Sequence, residues 1–279
     1  MENGSMSAIH EIKPLHTKYR PDSMDSFIGN GTVKSSLQSI LGKPHCPRTF
    51  LLHGSPGLGK TTLARIIAKG FGCEPAEVKE INMAIDRGIG AAREIRGEQV
   101  YLPLHGNDRV YILDEAQATT MEFQQSMLKI LEEPEHAVFI LCTTEPEKLI
   151  DTVWARCMRL ELKPLTDDQI RQLLRDVLDK EGKKGFPKQA TTIITERAKG
   201  CPREALMLLG QVIGMDGEEA LAFLGAEPGV AQRPDTAPEQ PLTLAEALFS
   251  PTKKLLMPWN DFNELDIPKR EFIIRPWLK

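Results

Sequence analysis

The stretch Gly54-Ser-Pro-Gly-Leu-Gly-Lys60-Thr61 constrains this chain more than any other, because it dictates its own backbone and both of its neighbours. Its glycines permit a tight loop whose N–H groups point inward, where they can cradle phosphate oxygens. The apolar run Thr49–His53 precedes it and the helical run Thr62–Lys69 follows, which is the strand–loop–helix setting the pattern requires. A helix N-terminus adds a positive dipole end to the cradle. By composition alone the pattern arises in roughly 1 % of chains this long, and the flanking elements reduce that further. The spacing therefore predicts a Mg-ATP site in which Pro56, Gly57, Leu58, Gly59, Lys60, Thr61 and Thr62 wrap the phosphates. Lys60 reaches the β- and γ-phosphates, and the Thr61 hydroxyl ligates Mg²⁺.

A second feature completes the site. Val110-Tyr-Ile-Leu-Asp114-Glu115 reads as a buried strand that delivers two carboxylates at its C-terminal end, where open α/β sheets keep their ligands. Asp114 suits the outer shell of Mg²⁺, and Glu115 suits orientation and polarisation of the water that attacks the γ-phosphate. Taken alone, an apolar run ending in Asp-Glu is more often a solvated strand end.

Further runs at Ala137–Thr143 and Met158–Leu162, and a weaker one at Val78–Ile81, also read as strands. Helical patterns alternate with them, so the fold class predicted is α/β with a parallel five-stranded sheet covered on both faces. Thr119 and Glu122 are expected to form a capping box ahead of a helix with Phe123, Met127, Ile130 and Leu131 on one face, ended by Pro134. After Leu162 the texture changes to amphipathic helices at Thr166–Glu181, Lys188–Lys199, Pro202–Met215 and Asp216–Leu224. The organisation expected is an N-terminal tail over 1–14, a nucleotide-binding α/β domain over 15–163 and a helical lid over 164–225. A Pro- and Ala-rich linker over 226–241 and a tail or further segment over 242–279 follow.

At 279 residues with a net charge of −4, the chain is no strongly basic body, although a local basic face is not excluded. Its five scattered cysteines form no C-x-x-C pair, which fits a reducing compartment better than a disulfide framework or a zinc site. No membrane span or signal peptide is evident, and a cytoplasmic location is expected.

Beyond these motifs, the sequence over roughly residues 15–225 resembles the AAA+ ATPases, and within them the clamp loaders of DNA replication. Lys18-Tyr19-Arg20-Pro21 and Phe27-Ile28-Gly29 are similar to the stretch that folds over the adenine in that family, which implies nucleotide contacts from Tyr19, Arg20 and Ile28. Glu80–Ile89 is similar to the second-strand segment of the replication factor C small subunits. The four-cysteine zinc insertion of the bacterial gamma/tau subunit has no counterpart here, so no zinc module is expected. Leu131-Glu-Glu-Pro134 and Phe139–Pro146 resemble the stretch leading through sensor 1, which assigns Thr144 to that position. Ala155-Arg156-Cys157 resembles the Ser-Arg-Cys motif with Ala in place of Ser, which makes Arg156 a finger for a neighbouring subunit's ATP site and implies an oligomer. Gly200-Cys-Pro-Arg203 resembles the start of the sensor 2 helix, with Arg203 reporting the γ-phosphate to the lid. The blander alternatives are a strand-end hydroxyl for Thr144, a salt-bridging surface residue for Arg156 and an exposed first-turn residue for Arg203.

The resemblance implies an ATP-dependent motor, working with itself or related subunits, that loads a sliding clamp on primed DNA without reading sequence. Arg87, Arg93 and Arg96 are candidate backbone contacts, though such residues are more often solvated surface. Alternatives are another replication or recombination motor, such as a helicase loader or branch-migration ATPase, and a nucleotide-binding scaffold without turnover. Two departures stand out. Residues 242–279 are too few for the family's helical collar, and Leu265–Leu278 faintly resembles the lead-in to RecA-type domains. A DEAD-box reading of residues 114–117 would need a second RecA-like domain that this chain does not provide.

Overall fold

The computed structural model describes residues 13–43, 45–99, 101–103, 108–183 and 185–225. The expected linker and tail beyond residue 225, and most of the N-terminal tail, lie outside the described residues. Five strands form one sheet: β1 Thr49–His53, β2 Val78–Asn82, β3 Arg109–Asp114, β4 Ala137–Thr143 and β5 Met158–Glu161. Their order is β2-β3-β4-β1-β5, and every neighbouring pair is parallel. The expected α/β class and the parallel five-stranded sheet are both borne out.

Central strands are buried on both faces, as a parallel sheet demands. All seven residues of β4 are buried, whereas the edge strand β2 has none that is fully buried. Side chains alternate across the pleat. Phe50, Leu52, Ile112, Val138 and Ile140 face one layer, which holds Leu63, Ile66 and Ile67 of a helix over Lys60–Gly70. Leu51, Tyr111, Leu113, Phe139 and Leu141 face the other, where Ile95, Phe123, Met127 and Ile130 pack.

Ten α-helices are described: α1 Leu15–Lys18, α2 Gly31–Ile40, α3 Lys60–Gly70, α4 Ile89–Gln99, α5 Met121–Glu132, α6 Asp151–Trp154, α7 Asp167–Lys180, α8 Lys188–Ala198, α9 Pro202–Val212 and α10 Gly217–Gly225. The expected cap of α5 is corrected by one residue. Thr119 Oγ1 donates to the Ala116 carbonyl (2.7 Å), closing the short 3-10 turn Ala116–Ala118, so Thr120 supplies the cap by accepting from Phe123 N–H. Helix α7 carries a complete capping box between Thr166 and Gln169.

Helices α7 to α10 enclose a core of their own, with Ile170, Leu174, Ile194, Leu209 and Leu224 buried in it. The chain crosses from the sheet to these helices at Lys163–Leu165. There Asn30 holds Lys163 from both sides: Oδ1 accepts from its N–H (2.8 Å) and Nδ2 donates to its carbonyl (3.3 Å). Leu165 N–H donates to the Gly200 carbonyl (2.9 Å), tying the crossing to the start of α9.

Candidate nucleotide site

Because all strands run the same way, their C-terminal ends lie along one edge of the sheet. The order places β1, β4 and β3 side by side there, at about 4.8 Å per strand. This edge brings the loop after β1, Thr144 after β4, and Asp114 and Glu115 at the end of β3 to one place. A cavity of 160 Å³ is lined by Lys60, Thr61, Asp114, Glu115, Thr144 and Arg203, together with Pro56, Arg20, Arg65 and Glu80.

The loop is shaped by close approaches that only glycine allows. A Cβ on Gly54 would stand 2.4 Å from the Leu162 carbonyl oxygen. Gly57, at φ +76°, would put a Cβ 2.5 Å from Cys201 Sγ and 3.2 Å from Arg203 Cβ. The loop thus presses directly on the start of α9. Lys60 is buried and donates Nζ to the carbonyls of Gly54 (2.8 Å) and Ser55 (3.0 Å). Burial pulls its ammonium below the ordinary lysine value, and the carboxylates of Glu115 and Asp114 act in the opposite sense.

Thr61 Oγ1 donates to Asp114 Oδ2 (2.8 Å), linking the first turn of α3 to the end of β3, and Asp114 Oδ1 accepts from Glu115 N–H (3.0 Å). A hydroxyl and a carboxylate at this separation form a hard-oxygen pair of the kind Mg²⁺ takes alongside phosphate oxygens and water, so the residues present fit that ion. Glu115 adopts the left-handed region at φ +54°, unusual for a residue with a side chain. Its carboxylate accepts from Gln117 Nε2, which also donates to Thr144 Oγ1 (3.1 Å).

A second cavity of 270 Å³ adjoins the first. Tyr19, Arg20 and Ile28 line it from the N-terminal stretch, Gly57, Leu58, Gly59 and Thr62 from the loop and α3, and Arg203 from α9. Its apolar share comes from Phe27, Leu165, Leu173, Val177 and Leu206. Tyr19 donates its hydroxyl to Glu181 Oε1 (2.7 Å), which also takes Lys18 Nζ (2.6 Å), so the N-terminal stretch is fastened to the end of α7. Burial lowers the Arg20 pKa, and Arg65 and Arg203 nearby push it the same way.

Every expected nucleotide contact therefore lines one of two adjoining cavities, and Arg203 lines both. Arg156 stands apart. Its guanidinium donates to Glu132 Oε2 (2.8 and 3.2 Å) and to the Thr152 carbonyl (3.0 Å), away from the site of its own chain. Three residues of the site escaped sequence reasoning: Gln117, and the pair Arg65–Glu80, joined at 2.6 and 2.9 Å. Arg65 lies one helical turn beyond Thr61, which is the signal that could have found it.

Comparison with known proteins agrees with this geometry. A family model described as "DNA polymerase III, delta subunit" matches residues 82–166, and one described as "Holliday junction DNA helicase RuvB P-loop domain" matches residues 19–100. DNA polymerase III subunit tau of Escherichia coli is 30 % identical over 266 residues, covering 87 % of this chain and 40 % of that protein. Subunit tau of Bacillus subtilis is 32 % identical over 239 residues, covering 76 % and 42 %. DNA polymerase III subunit gamma of Buchnera aphidicola is 34 % identical over 219 residues, covering 70 % and 60 %. The chain thus spans 40 to 60 % of the length of these relatives. Among solved structures, the RuvB Holliday junction branch migration motor of Thermotoga maritima shares the fold, with TM-score 0.61 and 23 % identity over 74 % of this chain and 72 % of that one. The chain has the AAA+ P-loop ATPase fold, and over most of its length it is similar to the gamma and tau subunits of DNA polymerase III.

Proposed function

We propose that this chain is an ATP-hydrolysing motor subunit of the clamp-loader type, which uses ATP binding and turnover to place a sliding clamp on primed DNA. The observation that carries the reading is the convergence of Lys60, Thr61, Asp114, Glu115 and Thr144 on one cavity, in a chain about a third identical to DNA polymerase III subunits. The loop amides and Lys60 bind the β- and γ-phosphates. Thr61 and Asp114 hold Mg²⁺, which when bound neutralises phosphate charge. Glu115 orients the attacking water. The water oxygen bonds to the γ-phosphorus, the bond to the bridging oxygen breaks with its electron pair leaving on ADP, and the water proton passes to the Glu115 carboxylate.

Thr144 contacts the γ-phosphate or the water, and Arg203 carries its presence to helices α7–α10, which serve as a lid. Tyr19, Arg20 and Ile28 enclose the base. Arg156 acts in a neighbouring subunit, so the working form is an oligomer with itself or with related AAA+ subunits. DNA contacts are to the backbone and independent of sequence. Among the described residues, no helix is long and apolar enough to cross a membrane.

The test is ATP turnover by the full chain with and without primed DNA and candidate clamps, beside the mass of the assembly. Turnover abolished by Glu115→Gln and raised by clamp and DNA together is the expected result. Turnover indifferent to any clamp but raised by branched DNA would move the reading to a branch-migration motor. No turnover in any assembly would leave a nucleotide-binding scaffold.

A further inference from the structure

Gln117 sits two residues beyond Glu115, in the turn between β3 and α5, and its side-chain amide is fully used. An amide offers two N–H donors and an oxygen with two lone pairs. Here Nε2 donates to Glu115 Oε2 and to Thr144 Oγ1, while Oε1 accepts from Thr143 Oγ1 (2.8 Å) and from Thr144 N–H (3.4 Å). The orientation is forced. A carboxylate only accepts and a backbone N–H only donates, so a reversed amide would set acceptor against acceptor and donor against donor. Thr143 agrees: its hydroxyl already accepts from Glu145 N–H (3.1 Å), which leaves its proton for Gln117.

We propose that Gln117 is a positioning residue that holds the Glu115 carboxylate and the Thr144 hydroxyl as one unit for the attack of water on the terminal phosphate. The role rests on the ATPase reading above. Glu115 is exposed at a strand end, where a three-torsion side chain samples several rotamers. Gln117 fastens one carboxylate oxygen. Oε1 has no hydrogen-bond partner among the described residues and is left for water. The same amide reaches Thr143 and Thr144 at the end of β4. The water-orienting group on β3 and the phosphate-sensing group beyond β4 are thereby fixed relative to each other through one side chain. Misplacement of a reacting group by about an ångström costs on the order of 10²-fold in rate.

Gln117→Met keeps the unbranched stem and removes all four hydrogen bonds. In the assembly that gives wild-type turnover, kcat should fall roughly ten- to a hundredfold, with KM for ATP and the affinity for ADP within about twofold. Gln117→Glu supplies a readout that a merely structural role would not move. It keeps the size and stem of the side chain but sets an acceptor against the Glu115 carboxylate, so kcat should fall at least as far as in the Met variant, again with KM for ATP and ADP affinity within about twofold. Wild-type kcat in the Met or the Glu variant, or a rise in KM alone, would overturn the proposal. Wild-type turnover abolished by Glu115→Gln but indifferent to Gln117→Met sinks this inference alone. Absence of wild-type turnover sinks the ATPase reading, and this role with it.

Discussion

Gly57→Ala tests the contact between the phosphate loop and the start of α9. Two costs add. At φ +76° the alanine sits in the left-handed region, at about 1–2 kcal/mol. Its Cβ, 2.5 Å from Cys201 Sγ, is short of an ordinary contact of about 3.5–4 Å, so loop and helix must part by about 1 Å. Overpacking of that kind costs about 1–3 kcal/mol. The sum is about 2–5 kcal/mol, or roughly 5–15 °C of melting temperature for a chain of this size. Arg203 is two residues beyond Cys201, in the first turn of α9, and is displaced with it, so ATP affinity should fall more than ADP affinity. Cys201→Ala in the same background removes the sulfur but not the backbone strain, and should return about 1–3 kcal/mol. Thermal melting with titration of both nucleotides reads all of this. If the double variant melts no higher than Gly57→Ala, the contact does not limit the loop and the reasoning fails.

Four other outcomes are expected. Glu132→Gln releases Arg156 from a partly exposed ion pair (side-chain exposures 60 % and 28 %); stability should change by less than about 1 kcal/mol. Arg156→Ala should instead lower turnover of the assembly by about 10³-fold or more while leaving ADP binding to isolated subunits intact, as steady-state rates and equilibrium titration can show. Burial holds the thiol of Cys73 at about 11 and that of Cys157 at about 12. At pH 8 their thiolate fractions are therefore at most about 10⁻³, and iodoacetamide followed by mass spectrometry should label them only after denaturation. Burial lowers the pKa of His53 below its ordinary 6.5, with Glu161 opposing. The unfolded chain therefore binds this proton first, and the stability due to neutral His53, fully present above about pH 6.5, is lost as pH falls through the folded pKa. Denaturant melts between pH 7 and pH 5 should show a decline that His53→Gln reduces.

Where burial is complete on both faces, the sequence was legible to the residue: β4 spans the very run Ala137–Thr143 that its unbroken apolar character marks. Edge strand β2 was faint because its residues are only half covered, so neither alternation nor an apolar run is pronounced. Helix α2 has no sequence signal of comparable strength, since Leu37 is its one fully buried residue among those described. The cap of α5 slipped by one residue because two adjacent threonines offer the same chemistry, and the turn before them decides which hydroxyl is free. The phosphate loop, Asp114 and Glu115 were readable because a short contiguous pattern carries their chemistry. Gln117, Arg65 and Glu80 were not, because what defines them is a partner brought near by the order of the strands. The distance between Gln117 and Thr144 in the chain holds no trace of their bond.

The short bridge at Lys163–Leu165 and Gly200 also sets a gearing. If the lid turns about that bridge, Arg203 rides about 5 Å from the pivot, whereas Val212 at the far end of α9 rides about 18 Å away, at 1.5 Å per residue. A rotation of about 10° then moves the guanidinium's anchor by about 1 Å but the far end by about 3 Å. The arrangement is a lever with its load close to the fulcrum, in which a displacement no larger than a bond length beside the phosphate loop becomes a shift about three times as wide at the far end of α9.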